Sequence, residues 1–452
     1  MKRVLFISAN RYKEPYPVYP IGISYLKAYL ETKLEDFEFD VFDCNLGSDE
    51  QLCDKIRSLK PKYICVSIRN VDGANSLDKT SFIYGYANII KQIRLVSDSC
   101  IIVGGAAFSI YPKAMFDALK PNYGIIGEGE ESLYRAIIAL DKGEDLSTIE
   151  GMAFYNNAEF ICNKHSSYLS SLHFKCESSL VDYYWREGGV LNIQTKRGCP
   201  YKCIYCSYPI IDGRCVRTLD ADNVVETIKY INKTTGANYL FFTDSVFNIS
   251  NNYNIELAEK LIASGIKINW GAYFSPHNLS DDLLGLFKAS GLTHIEFGTE
   301  SFSNSQLKNY GKNFSFDDVY ENSNLCLKHN IFYSHFLILG GYGETMESIR
   351  ETIENSKKIK YSVYFPFFGM RIYPGTRLSE LAIEDKIITR DDSLLEPSYY
   401  VAKDLDFNKI KQMAIDTGKA WIFPDDPKSD LVDVLRKKKG KKGLLWEYLR
   451  KP

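Results

Sequence analysis

Cys199, Cys203 and Cys206 fall within CPYKCIYC, residues 199–206. Their number and spacing limit what they can do. A closed structural zinc site takes four protein ligands, and this loop supplies three. The nearest histidines, His165 and His173, lie well upstream. A disulfide uses two cysteines. Three thiolates suit a cubane [4Fe–4S] cluster, leaving one iron without a protein ligand, free to hold a small molecule while the cluster supplies an electron. Gly198 and Pro200 allow a tight loop, and Tyr205, between the last two cysteines, can pack on the cluster or its ligand. Cys215 breaks the spacing and reads as structural. Cys44, Cys65 and Cys326 sit among apolar neighbours, where a thiol packs as a small hydrophobe. Eleven cysteines without regular spacing fit reduced thiols in a cytoplasm.

A loop of this kind needs a scaffold, and the chain has the pattern of one. Short apolar runs at 3–8, 37–43, 63–68, 100–105 and 123–127 alternate with helical stretches at 22–34, 49–59, 84–96 and 130–140. Apolar strands alternating with amphipathic helices predict a doubly wound parallel sheet covered on both faces, over residues 1–150. Ligands in such sheets bind beyond the carboxyl ends of the strands. Residues 151–190 lose the rhythm and read as a connector with a short hairpin. From 191 to 375 six β/α units are predicted, with strands at 191–195, 238–243, 268–273, 293–298, 332–339 and 363–371. That is a partial (β/α)6 barrel of the TIM type, with chemistry at the C-terminal ends of its strands. Residues 376–452 read as a mostly helical C-terminal region.

CPYKCIYC at the end of the first barrel strand resembles the signature of radical S-adenosylmethionine (SAM) enzymes. The resemblance implies that Cys199, Cys203 and Cys206 ligate the cluster and that its open iron chelates SAM, which is cleaved to a 5′-deoxyadenosyl radical. It also gives the other strand ends roles. Asp244 and Ser245 in YLFFTDSVFN would hold the SAM amino end, a carboxylate suiting an ammonium group. Tyr273 and Ser275 in WGAYFSP would meet ribose or carboxylate, and Glu300 in IEFGTES would accept ribose hydroxyls. The backbone around Leu337 in FLILGGYGET would border adenine, and Arg371 in RIYPGT ends the sixth strand. GGYG is not a Walker motif, since no Lys-Ser/Thr follows.

The first domain resembles the cobalamin-binding domain of one radical SAM subclass. The matching residues are YPVYPIGISYLKAYLE, VSIRNVDG, VGGAAFSIYP and IIGEGEES. By that resemblance Pro20, Gly22, Tyr25, Ser67, Arg69, Gly104, Gly105, Ala106 and Glu128 would shape the corrin site. Glycines and a small alanine at strand ends let backbone approach a flat ring. No Asp-x-His-x-x-Gly occurs and the first 150 residues hold no histidine, so this domain supplies no histidine to the lower face of the corrin. No GxGxxG follows the first strand, which argues against a dinucleotide site.

Together the halves imply a cobalamin-dependent radical SAM enzyme, foremost a methyltransferase acting on an unactivated carbon. One SAM would methylate the corrin and another would yield the radical. The alternative within this architecture is a rearrangement, ring contraction or carbon–carbon coupling. A different class is a non-catalytic cobalamin or iron–sulfur sensor. A flavodoxin or ferredoxin is the expected electron donor. The motifs look most like subclass members assigned to lipid or isoprenoid-derived products, so the expected substrate is a small molecule of that kind. A net charge of -2 argues against a nucleic-acid binder. No apolar run reaches 18 residues, so no transmembrane segment is predicted. The tail RKKKGKKGLLWEYLRKP offers peripheral membrane contact through Leu444, Leu445 and Trp446. The plainer reading is a solvated basic end whose tryptophan docks on the barrel.

Overall fold

The computed structural model describes residues 1–165, 168–169, 174–426 and 429–451. His173 lies outside them. The first strand, Lys2–Ser8, pairs in parallel with Phe37–Asp43 on one side and Tyr63–Ser67 on the other. Cys100–Gly104 and Tyr123–Ile125 follow in parallel register. The order reverses at the first strand, and its carboxyl end opens the crevice expected of a doubly wound sheet. Alternate residues of this strand feed two cores. Leu5 and Ile7 pack with Leu52, Ile56 and Ile89, while Val4 and Phe6 pack with Ile23, Leu30 and Ile137. Burial on both faces explains why the strand is apolar throughout and not alternating.

Two details differ from the sequence reading. The hairpin Met152–Asn156 and Glu159–Cys162, expected in a connector, adds antiparallel to the edge of the first sheet. The segment after Gly105 forms two helices, Ala106–Ile110 and Pro112–Leu119. They are too short to show a helical period, and Pro112 starts the second because its missing N–H costs nothing there.

The second sheet is parallel and in chain order, from Leu191–Ile193 through Tyr239–Phe242, Asn269–Phe274, Leu292–Glu300 and Phe332–Leu339 to Val363–Phe368. A seventh strand, Ala420–Trp421, joins beyond the predicted six, drawn from the region read as helical. Outward residues such as Trp270, Phe274, Ile295, Phe297 and Leu337 pack beneath the helices. Inward residues Tyr239, Phe241 and Val363 pack with Leu444 and Trp446 of the tail. The tail therefore closes the floor of the barrel. That overturns the membrane-contact reading, because the apolar side chains it needs, Leu444, Leu445 and Trp446, are 1–5% exposed. Among the described residues no helix is long and apolar enough to cross a membrane.

Candidate functional site

The cysteine loop leaves the end of the first barrel strand and is pinned from three sides. Cys199 N–H donates to Gly213 O at 3.0 Å, Ile204 N–H to Tyr310 O at 3.1 Å, and Leu378 N–H to Ile204 O at 2.8 Å. Gly198 has φ +90°, and a Cβ there would stand 2.0 Å from the Cys215 carbonyl oxygen. Only glycine serves at this position. Cys199 is buried, and Cys203 and Cys206 are half-buried.

Burial pushes the Cys206 thiol up to about 12, with Cys203 and Cys199 adding to the rise and Lys312 opposing it. Burial likewise raises Cys203, again against the pull of Lys312. Three sulfurs that feel one another in a dry loop make a donor set that needs positive charge. Among the described residues no group of three or more His, Cys, Asp or Glu side chains gathers to hold a single metal ion. A cubane takes each thiolate on a different iron, and the C-x3-C-x2-C loop offers three such thiolates. His165 is no fourth ligand here, since its Nε2 lies 2.8 Å from the Glu128 carbonyl oxygen.

Tyr205 links this loop to the fourth barrel strand. Its hydroxyl donates to Glu300 Oε1 at 2.5 Å, and Lys312 Nζ lies 2.6 Å from Glu300 Oε2. Glu300 has φ +65° and follows a register shift at Gly298. A non-glycine residue in the left-handed region at a strand end is strained and re-aims its side chain. Glu300 thus lies beside the cysteines, both oxygens engaged but with lone-pair capacity left for a ribose.

Three sequence expectations are corrected. Asp244 is 1% exposed and accepts from the backbone N–H groups of Thr195 and Lys196, at 2.7 and 3.0 Å, and from Lys196 Nζ at 2.8 Å. Its charge is spent inside the fold, where it organises the turn before the cysteines, and none is left for a SAM ammonium. Ser275 is buried, with its Oγ 2.7 Å from His277 Nδ1 and its N–H donating to Asn248 Oδ1. The Leu337 side chain packs outward into the core, which leaves its backbone as the part that faces the barrel, and Phe332, Phe336 and Ile338 are the half-buried residues of that strand. Arg371 holds Asp72 and Tyr111 of the first domain, 2.8 and 3.0 Å away, and is a joint between domains and not a cofactor contact. Ser245 donates to Gly198 O at 3.1 Å and steadies the cysteine loop. Tyr273 is 37% exposed.

At the carboxyl ends of the first sheet lies a cavity of about 230 Å³. Gly22, Tyr25, Ser67, Gly104, Gly105 and Glu128 line it, six of the residues predicted for the corrin site. A Cβ at Gly22 would meet nothing within 4 Å, as a residue facing open space requires. Pro20, Arg69 and Ala106 are not in the lining. Pro20 precedes the helix Ile21–Glu31, and Ala106 opens the short helix behind Gly105. Arg69 is exposed and forms no hydrogen bond or ion pair among the described residues.

The sequence reading missed the barrel's share of this cavity. Gln194, Arg197 and Asp212 also line it. Arg197, two residues before the first cysteine, reaches Glu128 Oε2 at 3.2 Å and Glu130 Oε1 at 2.9 Å. Burial alone would raise Glu130, but the guanidinium holds it below the usual carboxylate range. Asp212 is pushed up to about 6 by burial, against the pull of Arg197 and Arg217. The basic residue in RGCPYKC was the available signal.

Two family models match this chain, a B12 binding domain over residues 9–137 and the radical SAM superfamily over 193–355. The chain is a B12-binding radical SAM protein. An uncharacterized methyltransferase of Pyrococcus horikoshii is 24% identical over 376 residues, covering 82% of this chain and 79% of its own. Tryptophan 2-C-methyltransferase of Streptomyces laurentii is 22% identical over 437 residues, covering 81% and 72%. Among solved structures, the radical SAM methyltransferase TsrM of Kitasatospora setae, with tryptophan and a SAM analog bound, superposes with a TM-score of 0.90 at 19% identity. The match covers 100% of this B12-binding radical SAM protein and 97% of TsrM. A second TsrM structure, with cobalamin and a [4Fe-4S] cluster bound, gives 0.88.

Proposed function

We propose that this B12-binding radical SAM enzyme transfers a methyl group to a carbon of a small molecule. One observation carries the reading. Arg197 lines the cavity at the ends of the first sheet and bonds its acidic rim, while standing two residues from the cysteine loop. The two cofactor sites thus share a wall.

Cys199, Cys203 and Cys206 would hold the cluster. Gly22, Tyr25, Ser67, Gly104, Gly105 and Glu128 would receive the corrin. When bound, the cluster supplies the electron that cleaves SAM to a 5′-deoxyadenosyl radical, and the corrin carries the methyl group. The chain's own part is positioning. Tyr205, Glu300 and Lys312 form a charged, hydrogen-bonded edge beside the cysteines, suited to orient SAM. The Asp72–Arg371 ion pair fixes the first sheet against the barrel, and holding reacting groups at fixed distance is a large part of catalysis. A flavodoxin- or ferredoxin-type protein would deliver the electron in the cytoplasm. The closed barrel floor favours a compact substrate over the lipid chain expected from the resemblance.

Anaerobic purification with cobalamin supplied tests the reading. About four irons and a bound corrin are expected per chain. Incubation with SAM and reductant should then give S-adenosylhomocysteine and 5′-deoxyadenosine. A protein that binds iron but no cobalt overturns the cobalamin half of the proposal.

A further inference from the structure

The inward faces of the barrel strands carry mostly aromatic rings, and Tyr273 keeps 37% of its surface exposed inside the barrel. Phe241 and Tyr273 meet edge to face with centroids 4.9 Å apart. Phe336 stacks on Phe365 at 5.2 Å and reaches Tyr273 at 6.5 Å. Phe336 and Phe365 are only part-buried although they lie inside the barrel. Tyr16 from the first domain and Tyr208 beyond the cysteines lie within electrostatic range of Tyr273. The hydroxyls of Tyr16, Tyr208 and Tyr273 have no hydrogen-bond partner among the described residues.

At the floor sits one carboxylate. Glu296 pairs in register with Tyr273 on one side and Ser334 on the other. It is 6% exposed, and Trp446 Nε1 donates to its Oε1 at 2.9 Å. No hydrogen bond among the described residues reaches its second oxygen. Below the carboxylate Leu444 and Trp446 seal the barrel. The chamber is therefore blind, aromatic and provided with one half-satisfied acceptor. Apolar walls with a few polar groups are the usual make-up of a small-molecule site. A buried carboxylate gains most from a charge-assisted donor, and tyrosine faces hold flat rings or cations.

We infer that this chamber takes a compact aromatic substrate bearing an N–H or ammonium group, which donates to the free oxygen of Glu296. The inference deepens the reading of the protein as a small-molecule methyltransferase and rests on it. Glu296 is then a specificity-determining residue. A long acyl or prenyl chain finds no exit through the floor.

The test uses protein loaded with cluster and corrin, with iron and cobalt assayed on every batch. Indole, benzothiophene, which has the same shape without an N–H, and farnesol are titrated calorimetrically. Indole should bind at least about tenfold tighter than benzothiophene, the worth of one charge-assisted hydrogen bond. Glu296→Gln should erase that ratio, because glutamine keeps an acceptor for Trp446 but turns an NH2 group toward the ligand. Glu296→Asp, which keeps the carboxylate but draws it back from the ligand, should weaken indole severalfold and leave benzothiophene unchanged, so the inference stands on a second variant if Glu296→Gln folds poorly. Equal binding of indole and benzothiophene, no detectable indole binding, or tighter binding of farnesol overturns the inference. The metal assay judges the cofactor reading and the ligand ratio judges the chamber, so the two failures are told apart.

Discussion

Arg371 Nε stands 2.8 Å from Asp72 Oδ2, and the pair ties the end of the sixth barrel strand to the loop that follows Ser67 in the first sheet. Both side chains are almost out of water, at 4% and 2% exposure. Arg371 also donates to the carbonyls of Ile372 and Leu394, at 2.6 and 2.7 Å, so the guanidinium is fully used. The two domains are thereby held in one orientation, as two facing cofactors would require.

Removing one partner of this pair leaves the other buried and uncompensated, at a cost of about 3–5 kcal/mol. Asp72→Asn should lower the urea midpoint accordingly and shorten retention of cobalamin on gel filtration. Replacing both residues with apolar side chains of similar volume should restore much of the stability but not the retention. Stability unchanged in the single variant would show that the pair is not what joins the domains.

The cluster ligands are tested by iron content. Each of Cys199→Ala, Cys203→Ala and Cys206→Ala should lose most of the iron and the broad visible absorption. Cys215→Ala should keep both, since Cys215 is exposed. Bound cobalamin should survive in all four variants, because the lining of the cavity proposed for it includes none of these cysteines. Iron retained by any of the first three variants would remove that cysteine from the ligand set.

Much of this was legible in the sequence, and the exceptions have physical causes. The strands announce themselves because residues such as Val4 to Ile7 are buried on both faces. The cysteine spacing is local and survives any detail of folding. The strand-end polar residues were harder. Asp244 and Arg371 are charged groups at the right level of the barrel, yet each is consumed by partners far along the chain, Thr195 and Lys196 for one and Asp72 for the other. Type and spacing do not reveal which charges the fold itself neutralises. Lys312 and Glu296 were overlooked for the converse reason. One lies on a loop and the other in mid-strand, and only the closure of the barrel brings them to the cysteines and to the chamber.

Glu296 predicts an unusual pH dependence. Burial holds its carboxyl up to about 7, with the Trp446 N–H pulling the other way. Tyr16 and Tyr239 lie near it and stay neutral, being raised themselves by burial, and Tyr273 pairs with it in register. His294 and Glu447 lie behind Trp446, 3.1 Å apart. Because the folded group binds its proton more tightly than the unfolded chain does, its contribution is fully present below the ordinary glutamate range. It is lost as pH rises through about 7. The loss amounts to about 3 kcal/mol. Glu296→Gln should therefore match the wild type near pH 4.5 and exceed it at pH 8, read as melting temperature across that range. Parallel curves at all pH values would mean that Glu296 is solvated or permanently paired.

The tail makes the last prediction. Lys442 Nζ donates to the carbonyls of Trp185 and Arg186 at 3.0 and 2.9 Å, and Gly443 N–H to Gly189 O at 2.9 Å, so the tail is anchored to the end of the helix Ser178–Gly188. Cations there complement the carbonyl end of the helix. With Leu444, Leu445 and Trp446 committed to the protein interior, Lys437, Lys438 and Lys439 stay at the surface with only the single apolar side chains Leu431, Val434 and Tyr448 among them. Without the Leu444–Trp446 cluster as an anchor, lysines and a few scattered apolar residues bind anionic lipid weakly at physiological salt. The full chain should stay with the soluble fraction when floated with anionic vesicles. Trp446→Ala should cost about 3–5 kcal/mol of stability through the cavity it leaves in the barrel floor. Trp446→Phe should cost less, since it keeps a ring and loses only the donor to Glu296. A full chain that floats, and a Trp446→Ala variant that is as stable as the wild type but sinks, would place the tryptophan in the lipid and not beneath the chamber.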